Sequence, residues 1–267
     1  MSTPLFGRVV EITTGAVKMN NTSLDIEFEV PFDDDLAPNL STISVYNLSK
    51  NTISQLNKGQ KFSLVAGYLA DKGLILEGEI ASHSTKRVGT DKLTTIKVLD
   101  SVPFKANKTL QKAYKKAIKA DALIKDLAKA LGLKIAVLKL PLNKVYKKGY
   151  SINGEIIKEI QKIAKDCGVS CYINKGQTYI RPLRDGDNHN FILNSNTGLI
   201  GSPEYFEKEI NKAQAKGYKV KSLLQYRMNT ASIIKIDAVE VKASVRVQKG
   251  KHTFKGDTFY TEVEAIL

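Results

Sequence analysis

The side chains able to do chemistry are few, and their spacing does not assemble a reaction. Cys167 and Cys171 stand four residues apart, a separation that suits a redox pair or half of a metal site. They fall across a helix end and the strand after it. With no further Cys in the chain, they read as buried apolar thiols in a reducing compartment. His83, His189 and His252 are far apart and lack the short spacings of metal ligands, so each is expected at the surface or in a turn. Asp33, Asp34 and Asp35 offer oxygen to a hard cation, but the D-x-D-x-D-G pattern is missing and a solvated loop is expected. Glu77 and Glu79 share one face of a strand, as acid–base carboxylates can. The chain has no Trp and no evident aromatic cleft to seat a sugar between them. Nucleophile elbow, phosphate-binding loop, H-E-x-x-H and kinase signatures are all absent. The expectation is a protein with no catalytic residue, no metal ligand and no cofactor.

What the chain does have is charge, unevenly placed. The net charge is +14 over 267 residues. Residues 1–104 carry 10 Lys+Arg against 12 Asp+Glu, residues 105–182 carry 18 against 5, and residues 183–267 carry 13 against 10. Lys108, Lys112, Lys115, Lys116 and Lys119 crowd one stretch, and Lys139, Lys144, Lys147 and Lys148 follow. Such a cluster fits phosphate neutralisation, an acidic protein partner, or a solvated face. The first five are the candidate partner contacts. Arg occurs only at Arg8, Arg87, Arg181, Arg184, Arg227 and Arg246, which disfavours bidentate phosphate and base-edge readout.

The elements that position these groups follow from periodicity. Leu24, Ile26, Phe28 and Val30 alternate with Asp25, Glu27 and Glu29, giving a strand with one buried and one acidic face, expected to end at Pro31. Further strands are expected at 42–48, 61–66, 74–80 and 93–99, with Ser49 capping a short helix. That spacing indicates a sandwich or barrel. After Pro103 the period becomes helical. A Lys-rich helix is expected over 110–119, and a second carries Leu123, Leu127 and Leu131 up to Gly132. A third runs over 154–167 with Ile156, Ile160 and Ile163 inward. A hairpin turning at Asn174-Lys175-Gly176 closes this α+β stretch at Pro182. Strands return at 191–193, 217–224, 233–239, 244–249 and 258–266. The length suits two or three domains: a β-domain over 1–104, a basic α+β module over 105–182 and a β-domain over 183–267. No run is long and apolar enough to span a membrane, and the first residues lack a secretory-signal layout, so folding in the cytoplasm is expected.

Several stretches resemble the phage baseplate hub (tail-tip) family of contractile-tailed phages and phage-tail-like particles. They are residues 24–32 with the acidic loop after them, Tyr46-Asn47-Leu48-Ser49, Lys58-Gly59-Gln60, Ala66-Gly67-Tyr68, and 73–80 with 91–100. Next come Ile163-Ala164-Lys165-Asp166 through the hairpin to Arg181-Pro182, then Gly198-Leu199-Ile200-Gly201-Ser202-Pro203, 217–224 and 259–265. The order is kept along almost the whole chain. One departure is 207–216, a longer charged stretch expected as a loop or short helix. The resemblance implies a mainly β, α+β fold with two tube-like β-barrel domains flanking the inserted module. It also implies a homotrimeric ring that joins a sixfold tail tube to a threefold spike in the virion baseplate. The implied partners are further copies of the chain, the tail tube or distal tail protein, the central spike, baseplate wedge proteins and the tape-measure protein. It implies no enzyme, and no appended hydrolase domain is seen. The residues themselves leave a second reading open, a basic nucleic-acid-binding protein that uses the Lys-rich middle.

Overall fold

The computed structural model describes residues 5–100, 108–210 and 213–267. The chain is mainly β and forms two compact units. The first contains the described residues up to Asp33, then Asn39–Asp100 and Gly186–Leu267; the second contains Asp34–Pro38 and the described residues onward to Asp185. The period change at Pro103 and the 104/105 boundary lie outside the described residues.

The first unit begins with β1 (Arg8–Thr14), β2 (Val17–Asn20), β3 (Ile26–Phe32), β4 (Leu40–Tyr46), the helical turn α1 (Lys50–Ser54), β5 (Lys61–Tyr68), β6 (Asp71–Val88) and β7 (Asp91–Leu99). The alternation expected in β3 is realised: Ile26, Phe28, Val30 and Phe32 are buried while Glu29 is exposed. The strand nevertheless runs through Pro31, contrary to expectation. Its ladder with β4 stops at Glu29, so by Pro31 one neighbour has gone and a missing N–H is tolerated. Ser49 caps α1, its hydroxyl accepting from the Thr52 N–H at 3.0 Å. The sequence reading missed β1 and β2, which pair with each other.

The second unit begins with β8 (Thr109–Tyr114), β9 (Ile118–Lys119), α2 (Ala120–Leu131), β10 (Ile135–Leu138), β11 (Val145–Tyr146), β12 (Tyr150–Glu155), α3 (Ile156–Asp166), β13 (Ser170–Asn174) and β14 (Gln177–Arg181). Here the helix expected over 110–119 is corrected, because β8 and β9 occupy it. Leu110, Tyr114 and Ile118 lie four apart and imitate a helical stripe. In β8, Leu110 and Tyr114 are the partly buried positions and the exposed Lys112 lies between them on the same face, the three standing opposite Gly154, Tyr150 and Ile152 of β12 respectively. The lysine at the middle position hides the period-two pattern. The other two helices fall where the 3.6-residue stripes place them. Leu123, Leu127, Ile156, Ile160 and Ile163 share one core with Leu36, Ile173 and Ile180. Gly132 closes α2 in the left-handed region, where a Cβ would be strained.

The chain returns to the first unit as β15 (Asp187–Leu193), a 3-10 turn, β16 (Leu199–Ile210), β17 (Ala213–Leu223), β18 (Ser232–Asp237), β19 (Lys242–Lys255) and β20 (Thr258–Ile266). Residues 207–210 and 213–216, expected as a loop or short helix, are the paired ends of β16 and β17, with Glu207 opposite Lys216. Residues 211–212 lie outside the described set.

Strands from both ends of the chain make one 13-stranded sheet, ordered β16-β17-β20-β19-β3-β4-β7-β6-β5-β1-β2, with β18 and β15 attached at β19. The 14-residue β19 is the junction. One of its edges carries β18 along residues 242–246 and β3 along 250–254, while β20 follows the other. The core beneath is correspondingly shared, since Leu224 and Phe259 pack with Ile26, Phe28, Leu64 and Ile96.

Candidate functional site

Two charged surfaces stand out, one on each unit. On the first unit, residues pointing away from the core on β16, β17, β20, β19 and β3 form a continuous ladder of opposite charges. Lys208 meets Glu264 at 2.7 Å and Lys249 meets the same carboxylate at 3.5 Å. Glu262 lies between Lys221 at 3.4 Å and Lys251 at 3.7 Å, and Lys251 reaches Glu29 of β3 at 3.8 Å. Strand pairing dictates the pattern: Lys221 and Lys251 both stand opposite Glu262 across their ladders. Burial pushes the Glu264 carboxyl up, but the hydrogen bond from Lys208 and the charge of Lys249 outweigh it and hold it below the ordinary range. The exposed pairs contribute little stability each; what they do is cancel. This ladder borders a groove of about 830 Å³ reaching Asp33, Ile200 and Glu204. The sequence showed its acidic edge at Glu27 and Glu29, but not the lysines that answer it, because strands distant in the chain supply them.

On the second unit, the five candidate lysines divide into two kinds. Lys108 donates to the Ala130 carbonyl at 2.6 Å. Lys112 meets Asp126 at 2.7 Å and lies 4.8 Å above the Tyr114 ring. These two hold the unit together. Lys115 and Lys116 instead occupy the exposed turn between β8 and β9, and Lys119 ends β9 with its side chain in solvent. The nucleic-acid reading required Lys112, Lys115, Lys116 and Lys119 to converge on one groove, whereas Lys112, though exposed, is held in an ion pair with Asp126. Of the later group, Lys139 pairs with Asp185 at 2.6 Å and Lys144 with Asp166 at 2.8 Å, while Lys147 and Lys148 are exposed.

Three tyrosines anchor the helices of this unit to its strands. Tyr114 donates to Asp126 at 2.5 Å, Tyr146 to Asp166 at 2.9 Å and Tyr150 to Glu159 at 2.6 Å. The ammonium of Lys112 donates to Asp126, and with Tyr114 holds that carboxyl below the ordinary range; Lys144 and Tyr146 do the same to Asp166. Burial first, then the carboxylate neighbours, push the Tyr114, Tyr146 and Tyr150 hydroxyls up. Each hydroxyl thus donates to a helix carboxylate and ties a strand to a helix.

The remaining chemistry-bearing residues are dispersed. Cys167 is buried, Cys171 is partly buried, and both are free. Burial pushes the Cys171 thiol up, which makes a reactive thiolate unfavourable. His83 and His189 are exposed as expected. His252 corrects the expectation: it is buried in β19, with Nδ1 2.8 Å from the Thr261 hydroxyl and its ring against Phe32. Its position at the β3–β19 pairing explains the burial, since Val30 stands opposite it. Among the described residues, no three His, Cys, Asp or Glu side chains gather as metal ligands, and no helix is long and apolar enough to cross a membrane.

The fold has close counterparts among solved structures. A tail protein from Neisseria meningitidis MC58 superposes with a TM-score of 0.70 at 11% identity, over 98% of this chain and 97% of that one. The 43 kDa tail protein of prophage MuSo2 from Shewanella oneidensis gives 0.69 at 8% identity, over 97% and 98%. The E. coli c3393 protein, described as a type VI secretion component similar to T4 tail proteins gp27 and gp5, gives 0.64 at 11% identity, over 96% and 76%. At these identities the likeness establishes the fold. No curated protein matches by sequence. Residues 36–243, however, match the family described as baseplate hub gp41, in keeping with the resemblance carried by the sequence. The chain belongs to the baseplate hub gp41 family, the structural proteins of the phage tail baseplate.

Proposed function

We propose that the protein works as a homotrimeric ring joining a sixfold tail tube to a threefold spike, as a structural part and not as an enzyme. In this reading residues 1–104 and 183–267 act as two tube-like β-barrel domains of one type, with 105–182 inserted between them. Three copies then present six similar domains upward and three protomers downward. The observation that carries it is the single sheet running from β16 to β2 through the β3–β19 pairing. Among the described residues this sheet ends at β16, β2 and β15, and end strands present N–H and C=O groups that pairing between copies would satisfy. The likeness to a type VI secretion component similar to T4 tail proteins gp27 and gp5, and to a chain of a PdpA–VgrG complex at a TM-score of 0.51, supports a place in a tail-like assembly.

The charge-cancelled ladder suits the channel side. A polyanion or tape-measure protein must slide past the hub, and a surface whose ammonium groups are each paired with a carboxylate grips it less than a bare lysine surface would. The lysines of the second unit would then serve contacts with the wedge and other surrounding proteins. A density map of an assembled tail tests the proposal: three copies are expected at the tube–spike junction. Six copies there, none there, or peptidoglycan hydrolysis by the pure chain would each overturn it.

A further inference from the structure

We infer that Lys115, Lys116, Lys119, Lys147 and Lys148 form a docking surface for an acidic, partly apolar segment of another protein. These lysines come from two turns about thirty residues apart in the chain, and the backbone stacks those turns. Tyr114 stands opposite Tyr150 where β8 pairs with β12, and Lys119 stands opposite Val145 where β9 pairs with β11. The Ala117 and Gly149 N–H groups both donate to the Tyr146 carbonyl at 3.0 Å. A Cβ on Gly149 would lie 2.6 Å from the Tyr114 carbonyl oxygen, so glycine is what lets the second turn lie against the first. The turn conformations agree, with Ala117 at φ 60° and Gly149 at φ 88°.

Stability does not account for these five cations. Their neighbours Lys112 and Lys144 each reach a carboxylate, whereas none of the five forms an ion pair with a described residue. Lys119 is also the N-cap of α2 and makes no side-chain capping bond. A cation there opposes the helix dipole, at a position where Ser or Asp would stabilise. The sequence thus keeps mutually repelling charges on a rigid, exposed tip.

The tip is not purely ionic. Leu142 is 60% exposed and Val145 42% exposed. Val145 lies beside Lys119 across the β9–β11 ribbon, on the face opposite the inward Ile118 and Tyr146. Apolar side chains framed by lysines complement a segment that alternates carboxylates with Leu-like residues. Nucleic acid fits less well: the tip has no Arg for bidentate contacts, and the nearby Tyr114 and Tyr146 rings are held inward by Asp126 and Asp166 instead of being offered for base stacking.

The test is independent of the trimeric reading, because it uses the isolated full-length chain. A fluorescent amphipathic peptide of Glu and Leu and a fluorescent DNA duplex are titrated by anisotropy. The variants are one replacing all five lysines with Gln, Leu142→Ser alone, and Lys18→Gln, an exposed lysine of β2, as a control outside the tip. Five exposed pairs of ordinary strength predict at least about a fivefold loss of peptide affinity in the quintuple variant at low salt. A smaller loss is expected for Leu142→Ser and none for Lys18→Gln. Equal peptide binding by the wild type and the quintuple variant overturns the inference, as does no peptide binding at all. DNA bound more tightly than the peptide at physiological salt, together with indifference to Leu142→Ser, overturns it in favour of nucleic acid.

Discussion

Replacing Gly250 with Ala tests the β19 junction, because the sign of its effect depends on it. In an uncrowded strand this change stabilises by about 0.4–1 kcal/mol, since the unfolded chain loses freedom. Gly250, however, stands opposite Phe32 of β3 and Val263 of β20. An added Cβ would collide with the Glu262 carbonyl oxygen and lie 2.8 Å from both Phe32 Cζ and Val263 Cγ1. Phe32 is 7% and Val263 3% exposed, and the carbonyl nearest the added Cβ belongs to the β20 backbone, which cannot turn aside as the end of a side chain can. Overpacking of this kind costs about 1–3 kcal/mol. The net expectation is destabilisation of about 2 kcal/mol, which lowers Tm by roughly 4–8 °C for a fold of this size.

Thermal denaturation followed by circular dichroism measures the drop, and hydrogen exchange locates it. Protection should fall in β3, β19 and β20 while β13 and β14 of the other unit keep theirs. Gly89→Ala is the comparison: nothing lies within 4 Å of its Cβ position, and φ is +61°. Only the left-handed backbone penalty of about 1 kcal/mol applies there. A Gly250→Ala protein that melts at the wild-type temperature, or loses less than Gly89→Ala, would refute the claim that close backbone approach holds β3 and β20 on either side of β19.

Three further outcomes are expected. Burial raises the Asp100 carboxyl to about 6, against hydrogen bonds from Asn39 at 2.9 and 3.0 Å. The folded state therefore holds the proton more tightly than the unfolded chain, whose Asp titrates near about 4. The resulting stability is fully present below about pH 4 and is lost as pH rises through about 6, to the extent of about 3 kcal/mol at most. Urea titrations of wild type and Asp100→Asn across that window should differ in slope, and parallel curves would count against it. Tyr146→Phe deletes the donor to Asp166 and should cost about 1 kcal/mol in the same assay, with α3 exchanging faster. Ile160→Ala opens a cavity beneath a side chain only 1% exposed and should cost about 2–5 kcal/mol; a loss under about 1 kcal/mol would mean that α3 repacks freely.

What the sequence revealed, it revealed wherever one periodicity ran unbroken against one core. The stripes of α2 and α3 have only apolar residues on their inward positions. The alternation in β20 gives Phe259, Thr261, Val263 and Ala265 to the interior, and Lys175 and Gly176 turn the β13–β14 hairpin with positive φ. The failures share a cause, namely a polar residue within an apolar face or an element without a core of its own. Lys112 takes the middle position on the Leu110–Tyr114 face of β8, where it pairs with Asp126, so β8 lost its alternation and took on a false helical spacing. The outer ends of β16 and β17 bury little, and Glu207–Lys216 at 3.1 Å helps to join them; charges like these resemble a loop until the partner strand is known.

The candidate surfaces were half legible for the same reason. Lysine content marked the basic stretch, but whether a lysine is committed or available depends on carboxylates elsewhere in the fold. Asp126 and Asp166 lie on helices, 14 residues after Lys112 and 22 after Lys144, and they separate structural lysines from the five at the tip. On the sheet the logic is inverted. Lys221, Glu262, Lys251 and Glu29 look like scattered surface charges along the chain, yet three strand pairings bring them into one ladder. Net charge by segment therefore described neither surface. The basic module uses several of its cations to hold itself together, and the near-neutral sheet face has many charges whose fields cancel. Exposed lysines without a carboxylate attract a polyanion or an acidic partner, whereas paired charges on a sheet face leave it little net field.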